Sequence, residues 1–194
     1  TTEDDVTQTY GMPLATAWET ATDDPWSRLQ GFTIARVRTS NRVGFLYDAF
    51  GDAPFTSAVL RAIQNDQEIE TAAGGKVLFR RTKALSALNI APDVEIRRMS
   101  GEQSNTSMRV GEEAILKVYR RLQSGIHPEV EMGRFLTDVA GYRNAPATLG
   151  SIEMIGPDGV PTALGIMHQF VRNQGDGWSF TRDYLTRYLQ EIEV

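Results

Sequence analysis

The stretch GEQSNTSMRVGEEAILKVYRR, residues 101–121, decides how the chain is read. It opens on a polar, glycine-led segment. Two short β-type runs follow, TSMRV and AILKVYRRL, on either side of Gly111-Glu112-Glu113. Two such runs about a glycine turn predict a hairpin. The second run is apolar, yet Lys117 sits in its middle. An ammonium group in a half-buried strand either reaches out to solvent along its aliphatic stem or is met by an anion. For a lone strand lysine, the first is the ordinary reading.

The segments around this hairpin have a clear order. Upstream, DVEIRRMSGEQ (93–103) is β-like. Downstream, HPEVEMGRFLTDVAGY (127–142) has Pro128 suited to a first helical turn. Val130, Phe135, Leu136 and Val139 recur there at helical spacing, and Gly141 is a plausible stop. ATLGSIEMI and PTALGIMHQFV then flank GPDGV (156–160), a strong turn signal. TRDYLTRYLQEIEV (181–194) predicts a further helix. Strand, strand, strand, helix, strand, strand packs most simply as a five-stranded, mostly antiparallel sheet with one helix across it.

The first ~90 residues form a separate pattern. YGMPLATAW (10–18) has a strand-like rhythm. FTIARVRTS (32–40) and VGFLYDAF (43–50) make a hairpin about Asn41. A helix is predicted over 53–69, from Phe55, Val59, Leu60, Ile63 and Ile69. Gly74-Gly75 ends it, and KVLFRRT (76–82) is another strand. The expected fold class is therefore α+β, with a small α/β unit over 1–90 and the five-stranded unit over 91–194.

Composition sets wider bounds. A chain of 194 residues can bury a core without staples. It has no cysteine, which removes disulfide and thiolate chemistry and fits a reducing, cytoplasmic location. Two histidines, His127 and His168, leave little material for a histidine metal site or a Ser-His-Asp triad. His127 reads as a helix-start residue and His168 as a satisfied core residue. No apolar run is long enough for a membrane span. The net charge of −5 argues against nucleic acid as a partner. The basic pairs Arg97-Arg98 and Arg120-Arg121 read as solvated strand ends.

A polar turn, a lysine on the third strand and a glutamate on the next helix make the order of the phosphate-handling lobe of protein-kinase-like enzymes. In such a lobe the lysine grips nucleotide phosphates and the glutamate holds the lysine. The helix offers Glu129 and Glu131. Residues four apart share a helix face. Glu131 lies four before Phe135, in the apolar stripe, whereas Glu129 lies four before Gly133. Glu131 is the expected partner and Glu129 the alternative. EQSNTS does not match G-x-G-x-x-G, although small polar residues suit phosphate binding. The GGKV segment at 74–77 lacks the Walker A spacing and its Ser or Thr.

EQSNTS (102–107), ILKVYRRLQSGIHPEVEMGRFL (115–136) and QFVRNQGDGW (169–178) resemble the bacterial maltokinases, including forms fused to trehalose synthase. YGMPLA (10–15) and FLYDAFGDAPFTSAVL (45–60) are similar to that family's N-terminal cap subdomain. The resemblance runs from about Tyr10 to the end. It implies ATP-dependent phosphorylation of maltose at its anomeric hydroxyl, with Mg2+, to give maltose 1-phosphate. It implies a cap, then a kinase-like N-lobe. Gln103, Ser104, Asn105, Thr106 and Ser107 would cover the phosphates. Lys117 would contact them and Glu131 would support it. Gln169, Phe170 and Val171 would form the hinge that meets adenine through backbone groups.

The chain departs from that family in one large respect. Maltokinases carry an H-G-D catalytic loop and a later metal-binding aspartate. QGDG (174–177) is not that loop, because it follows the fifth strand directly and lacks the histidine. No catalytic base and no metal ligand is assigned. The expectation is the N-terminal part of a longer enzyme with its C-lobe absent, inactive alone, and meeting maltose mostly through the missing lobe. Two alternatives stand beside it: a non-catalytic binding or regulatory module, and the kinase segment of a trehalose synthase fusion or partner.

Overall fold

The computed structural model describes residues 7–99, 104–173 and 175–192. The first part holds β1 (Thr9–Tyr10), β2 (Leu14–Trp18), α1 (Trp26–Leu29), β3 (Thr33–Arg38), β4 (Val43–Asp48), α2 (Ala53–Gln64), β5 (Glu68–Glu70), β6 (Lys76–Arg81) and α3 (Lys83–Ser86). The second part holds β7 (Ile96–Arg98), β8 (Asn105–Val110), β9 (Ala114–Tyr119), β10 (Arg121–Leu122), α4 (Pro128–Arg134), β11 (Thr148–Ile155), β12 (Pro161–Gln169) and α5 (Gly177–Ile192).

The five expected strands are all present, but their sheet is larger. Its order is β5-β6-β11-β12-β9-β8-β7, seven strands in place of the five expected. The two extra strands come from residues before 90. β6 pairs antiparallel with β11, from Arg81 opposite Gly150 to Lys76 opposite Ile155. The sheet thus runs across the boundary expected near residue 90. The cause is the free edge of β11, whose backbone groups need partners. Of the remaining strands of the first part, three make a sheet in the order β2-β4-β3, and β1 pairs with β10 of the second part.

The helix predicted over 53–69 ends at Gln64. Asp66 takes a positive φ of 50°, which breaks the helix, and Ile69 lies in β5. One face of the large sheet packs against α2. Val59, Leu60 and Ile63 of the helix meet Phe79, Met108, Leu116, Val118 and Ile152 of the sheet in one buried cluster. Apolar area of this kind is the main term holding such a layer together. Leu116 and Val118 face this core, so side-chain alternation sends Lys117 to the other face.

That second face carries α4. A smaller cluster of Tyr119, Val130, Ala163 and Ile166 lies beneath it. Gly133 sets the approach of the helix: a Cβ there would lie 2.3 Å from Thr148 Oγ1 and 3.7 Å from the Ile166 side chain. Past Arg134 the helix widens to a π-helical turn, Phe135–Val139, with the Ala140 N–H donating to the Phe135 carbonyl at 2.9 Å. This turn slips the helical register. Phe135 and Val139, expected to be buried, are 49% and 73% exposed.

Gly141 ends the helix with a φ of +59°, as expected. In the GPDGV turn the Gly156 N–H donates to Val160 O at 3.0 Å. Asp176 caps α5, its carboxylate accepting from the Ser179 N–H at 2.7 Å and the Ser179 hydroxyl at 3.1 Å. The aspartate of QGDG is therefore a helix cap, and these hydrogen bonds hold its carboxyl below the usual range. None of the residues of α5 is buried.

Candidate functional site

Lys117 lies in the middle of the sheet. Ser107 of β8 is directly opposite on one side and Ile166 of β12 on the other. Its ammonium meets a carboxylate from α4, and that carboxylate is Glu129. Lys117 Nζ lies 3.1 Å from Glu129 Oε2 and 3.3 Å from Oε1. The expectation of Glu131 is corrected: Glu131 is exposed. The reason is geometric. Two residues along a helix is about 200° around its axis, so only one of the two glutamates can face the sheet. The face toward the sheet is the one that bears Glu129, Val130 and Gly133, and the glycine marks the close approach.

Two more side chains reach the same carboxylate. The Tyr119 hydroxyl donates to Glu129 Oε2 at 2.7 Å. His168 Nε2 lies 3.4 Å from Oε1. Tyr119 stands two residues after Lys117 and so shares its face. His168 comes from β12, opposite Ile115. The Tyr119 ring stacks on His127, with centroids 4.3 Å apart. Burial alone would push the Glu129 carboxyl up. The hydrogen bonds from Tyr119 and Lys117, the Lys117 charge and His168 outweigh burial and hold it below the usual glutamate range. Burial first, and then the Glu129 carboxylate, raise Tyr119 well above an ordinary tyrosine. It stays a neutral donor.

The residues expected to cover a phosphate are not gathered in one turn. Gln103 lies outside the described residues. Ser104 precedes β8, while Asn105, Thr106 and Ser107 are the first three residues of that strand. Asn105 and Ser107 share the Lys117 face, being opposite Tyr119 and Lys117. Thr106 is opposite Val118 and is buried on the other side of the sheet. Its hydroxyl accepts from Arg120 Nε at 2.9 Å. Thr106 is thus corrected from a ligand-facing residue to an anchor for Arg120. The pairing of β8 with β9 imposes this alternation, which a loop reading of EQSNTS ignored.

The expected hinge is the end of β12 and the turn after it. The Gln169 N–H donates to Ala147 O and the Phe170 N–H to Glu113 O, both at 2.8 Å. A ligand in contact with these two residues would therefore not use those N–H groups. Arg109 covers the Phe170 ring, 4.4 Å from its centroid. Val171 is exposed.

A second ion pair was not foreseen. Arg120, read as a solvated strand end, is part-buried and bonds Asp48 of β4 through Nη2. Its guanidinium also lies over the Phe50 ring, 5.6 Å from the centroid. Arg121 lies in β10, and Arg97 is the solvated residue expected, paired with Glu95 at 2.7 Å. On the α2 face of the sheet an apolar groove of about 660 Å³ runs between Phe55, Val59, Ile69, Val77, Met154 and Leu122. Among the described residues no cluster of three or more Asp, Glu or His could hold a metal ion, and no described helix is long and apolar enough to cross a membrane.

No family model matches the chain. Among solved structures it is similar to a glucosamine kinase in complex with glucosamine, ADP and inorganic phosphate, at 17% identity and a TM-score of 0.49 over 93% of this chain. A second crystal form of a glucosamine kinase matches 66% of this chain at 20% identity and a TM-score of 0.36. The chain spans 40% of the length of the first kinase and 37% of the second.

Proposed function

We propose that this chain supplies the nucleotide-phosphate-binding part of an ATP-dependent sugar kinase. The sequence resemblance adds maltose as the acceptor and maltose 1-phosphate as the product, with trehalose synthase as a fused or associated partner. One observation carries the reading: the Lys117 ammonium is held by a helix carboxylate at 3.1 Å on a sheet face opposite the main core. A lysine there acts as a mobile point charge for phosphate oxygens. The side chains of Asn105 and Ser107 share that face. Mg2+ would be held by groups other than the described residues of this chain, and no step is routed through it. The unit over 91–194 would be the kinase-like lobe and the unit over 1–90 its cap.

The test uses ATP and adenosine as separate probes with the whole chain. Lys117→Ala should lower ATP affinity at least tenfold, about 1.4 kcal/mol, while adenosine affinity holds. Equal loss for both, or no loss, overturns the phosphate role. In the parent protein, Lys117→Ala should abolish maltose-dependent ADP release. If glucosamine or another sugar replaces maltose as the productive acceptor, the kinase reading stands and the acceptor is reassigned.

A further inference from the structure

We propose that Tyr119 and His168 are positioning residues that hold the Glu129 carboxylate independently of Lys117. The consequence for a ligand rests on the phosphate reading above. The argument starts from the carboxylate, which has room for about four hydrogen bonds. Lys117 is shared between both oxygens, at 3.1 and 3.3 Å. Tyr119 takes Oε2 at 2.7 Å, the shortest contact of the set, and His168 takes Oε1 at 3.4 Å. Each oxygen thus has a donor besides the ammonium.

This matters when an anion arrives. Lys117 must then divide its protons between the anion and Glu129. A part-buried carboxylate with no other donor would be left poorly solvated, at a cost that opposes the exchange. With Tyr119 and His168 in place, the carboxylate stays satisfied and stationary, and the ammonium is free to turn. Both posts are themselves fixed. Tyr119 is buried and stacked on His127. His168 has the Thr148 hydroxyl 3.5 Å from Nδ1. A hydroxyl donating to Nδ1 leaves the proton on Nε2, the nitrogen that faces Glu129. The raised Tyr119 hydroxyl keeps its proton across the physiological range.

The experiment follows the Glu129 carboxyl by 13C NMR as pH is varied. Tyr119→Phe keeps the ring and removes only the hydroxyl, and should move the Glu129 titration upward. Lys117→Ala alone should move it part of the way, and adding Tyr119→Phe should move it further. If adding Tyr119→Phe to Lys117→Ala moves it no further, the ammonium was the only support and the proposal falls. His168→Leu should shift it less than Tyr119→Phe, and His168→Gln, whose amide can still donate, should restore it. Should Tyr119→Phe fail to fold, the His168 pair decides.

The ligand half is read with ATP and adenosine. Tyr119→Phe should weaken ATP about tenfold, leave adenosine unchanged, and have no further effect once Lys117 is alanine, since residues acting as one unit are not additive. Additive losses overturn the positioning role. If Lys117→Ala leaves ATP binding of the native chain untouched, the phosphate reading falls, and the Glu129 titration still judges the carboxylate posts on its own.

Discussion

Two cations three residues apart, Lys117 within β9 and Arg120 just past its end, finish in opposite places. Lys117 faces α4, whereas Arg120 reaches Thr106 on the opposite face of the sheet. Arg120 binds Asp48 and Thr106 and covers Phe50, with the ion pair 18% and 17% exposed. Lys117 meets Glu129 with exposures of 25% and 34%. The first uses the fork of a guanidinium to satisfy several groups at once. The second uses a compact ammonium on a flexible stem, next to solvent. The comparison teaches that burial and charge do not by themselves mark a functional residue. The more buried pair joins the three-stranded sheet to the large one, and the more open pair is suited to exchange partners.

The largest expected effect breaks the less exposed pair. Arg120→Ala leaves the Asp48 carboxylate without its cation and should cost about 3 kcal/mol, measured by urea denaturation. Arg120→Lys, which keeps charge but not the fork, should recover only part. Equal stability of all three proteins would erase the distinction drawn here. Next comes Gly133→Leu. Its side chain would meet Thr148 and Ile166, push α4 from the sheet and cost about 2 kcal/mol. The same change should weaken the Lys117–Glu129 contact, seen as a rise of the Glu129 titration.

Much of this contrast is absent from local pattern. The strand alternation, the two hairpins and the helix starts were legible, because side-chain period and turn residues are local. The partner of Lys117 was not, because the stripe was taken from Phe135 and Val139, which the π-helical turn sends outward. The informative residue was Gly133, whose lack of a side chain carries no apolar signal. Asp48 and Arg120 are 72 residues apart, and no spacing rule reaches that far. Tyr119 was within reach, since strand period places it beside Lys117 on the same face.

Two smaller effects sharpen the open pair. Glu129 is held below its usual range, so in the folded state it gives up its proton more readily than in the unfolded chain. Its stabilising share is therefore present above the ordinary glutamate range and is lost as pH falls through the lowered value. Glu129→Gln should lower stability at neutral pH by no more than about 1 kcal/mol, given solvent screening. The gap to the native chain should close in acid, as thermal melts across pH would show. The smallest effect on stability belongs to Lys117→Met, within about 0.5 kcal/mol. It is the substitution expected to matter most for ATP. A residue whose loss costs the fold little and the ligand much is the opposite of Arg120.

The pairing of β6 with β11 has a consequence for anyone who divides the chain. A truncation starting at residue 91 would strip β11 of six cross-strand neighbours. An eight-residue strand with mostly buried side chains would then stand as a raw border. Such borders recruit strands from other molecules. The shortened piece would be prone to self-association, and its Lys117 face would be studied in a particle of the wrong size.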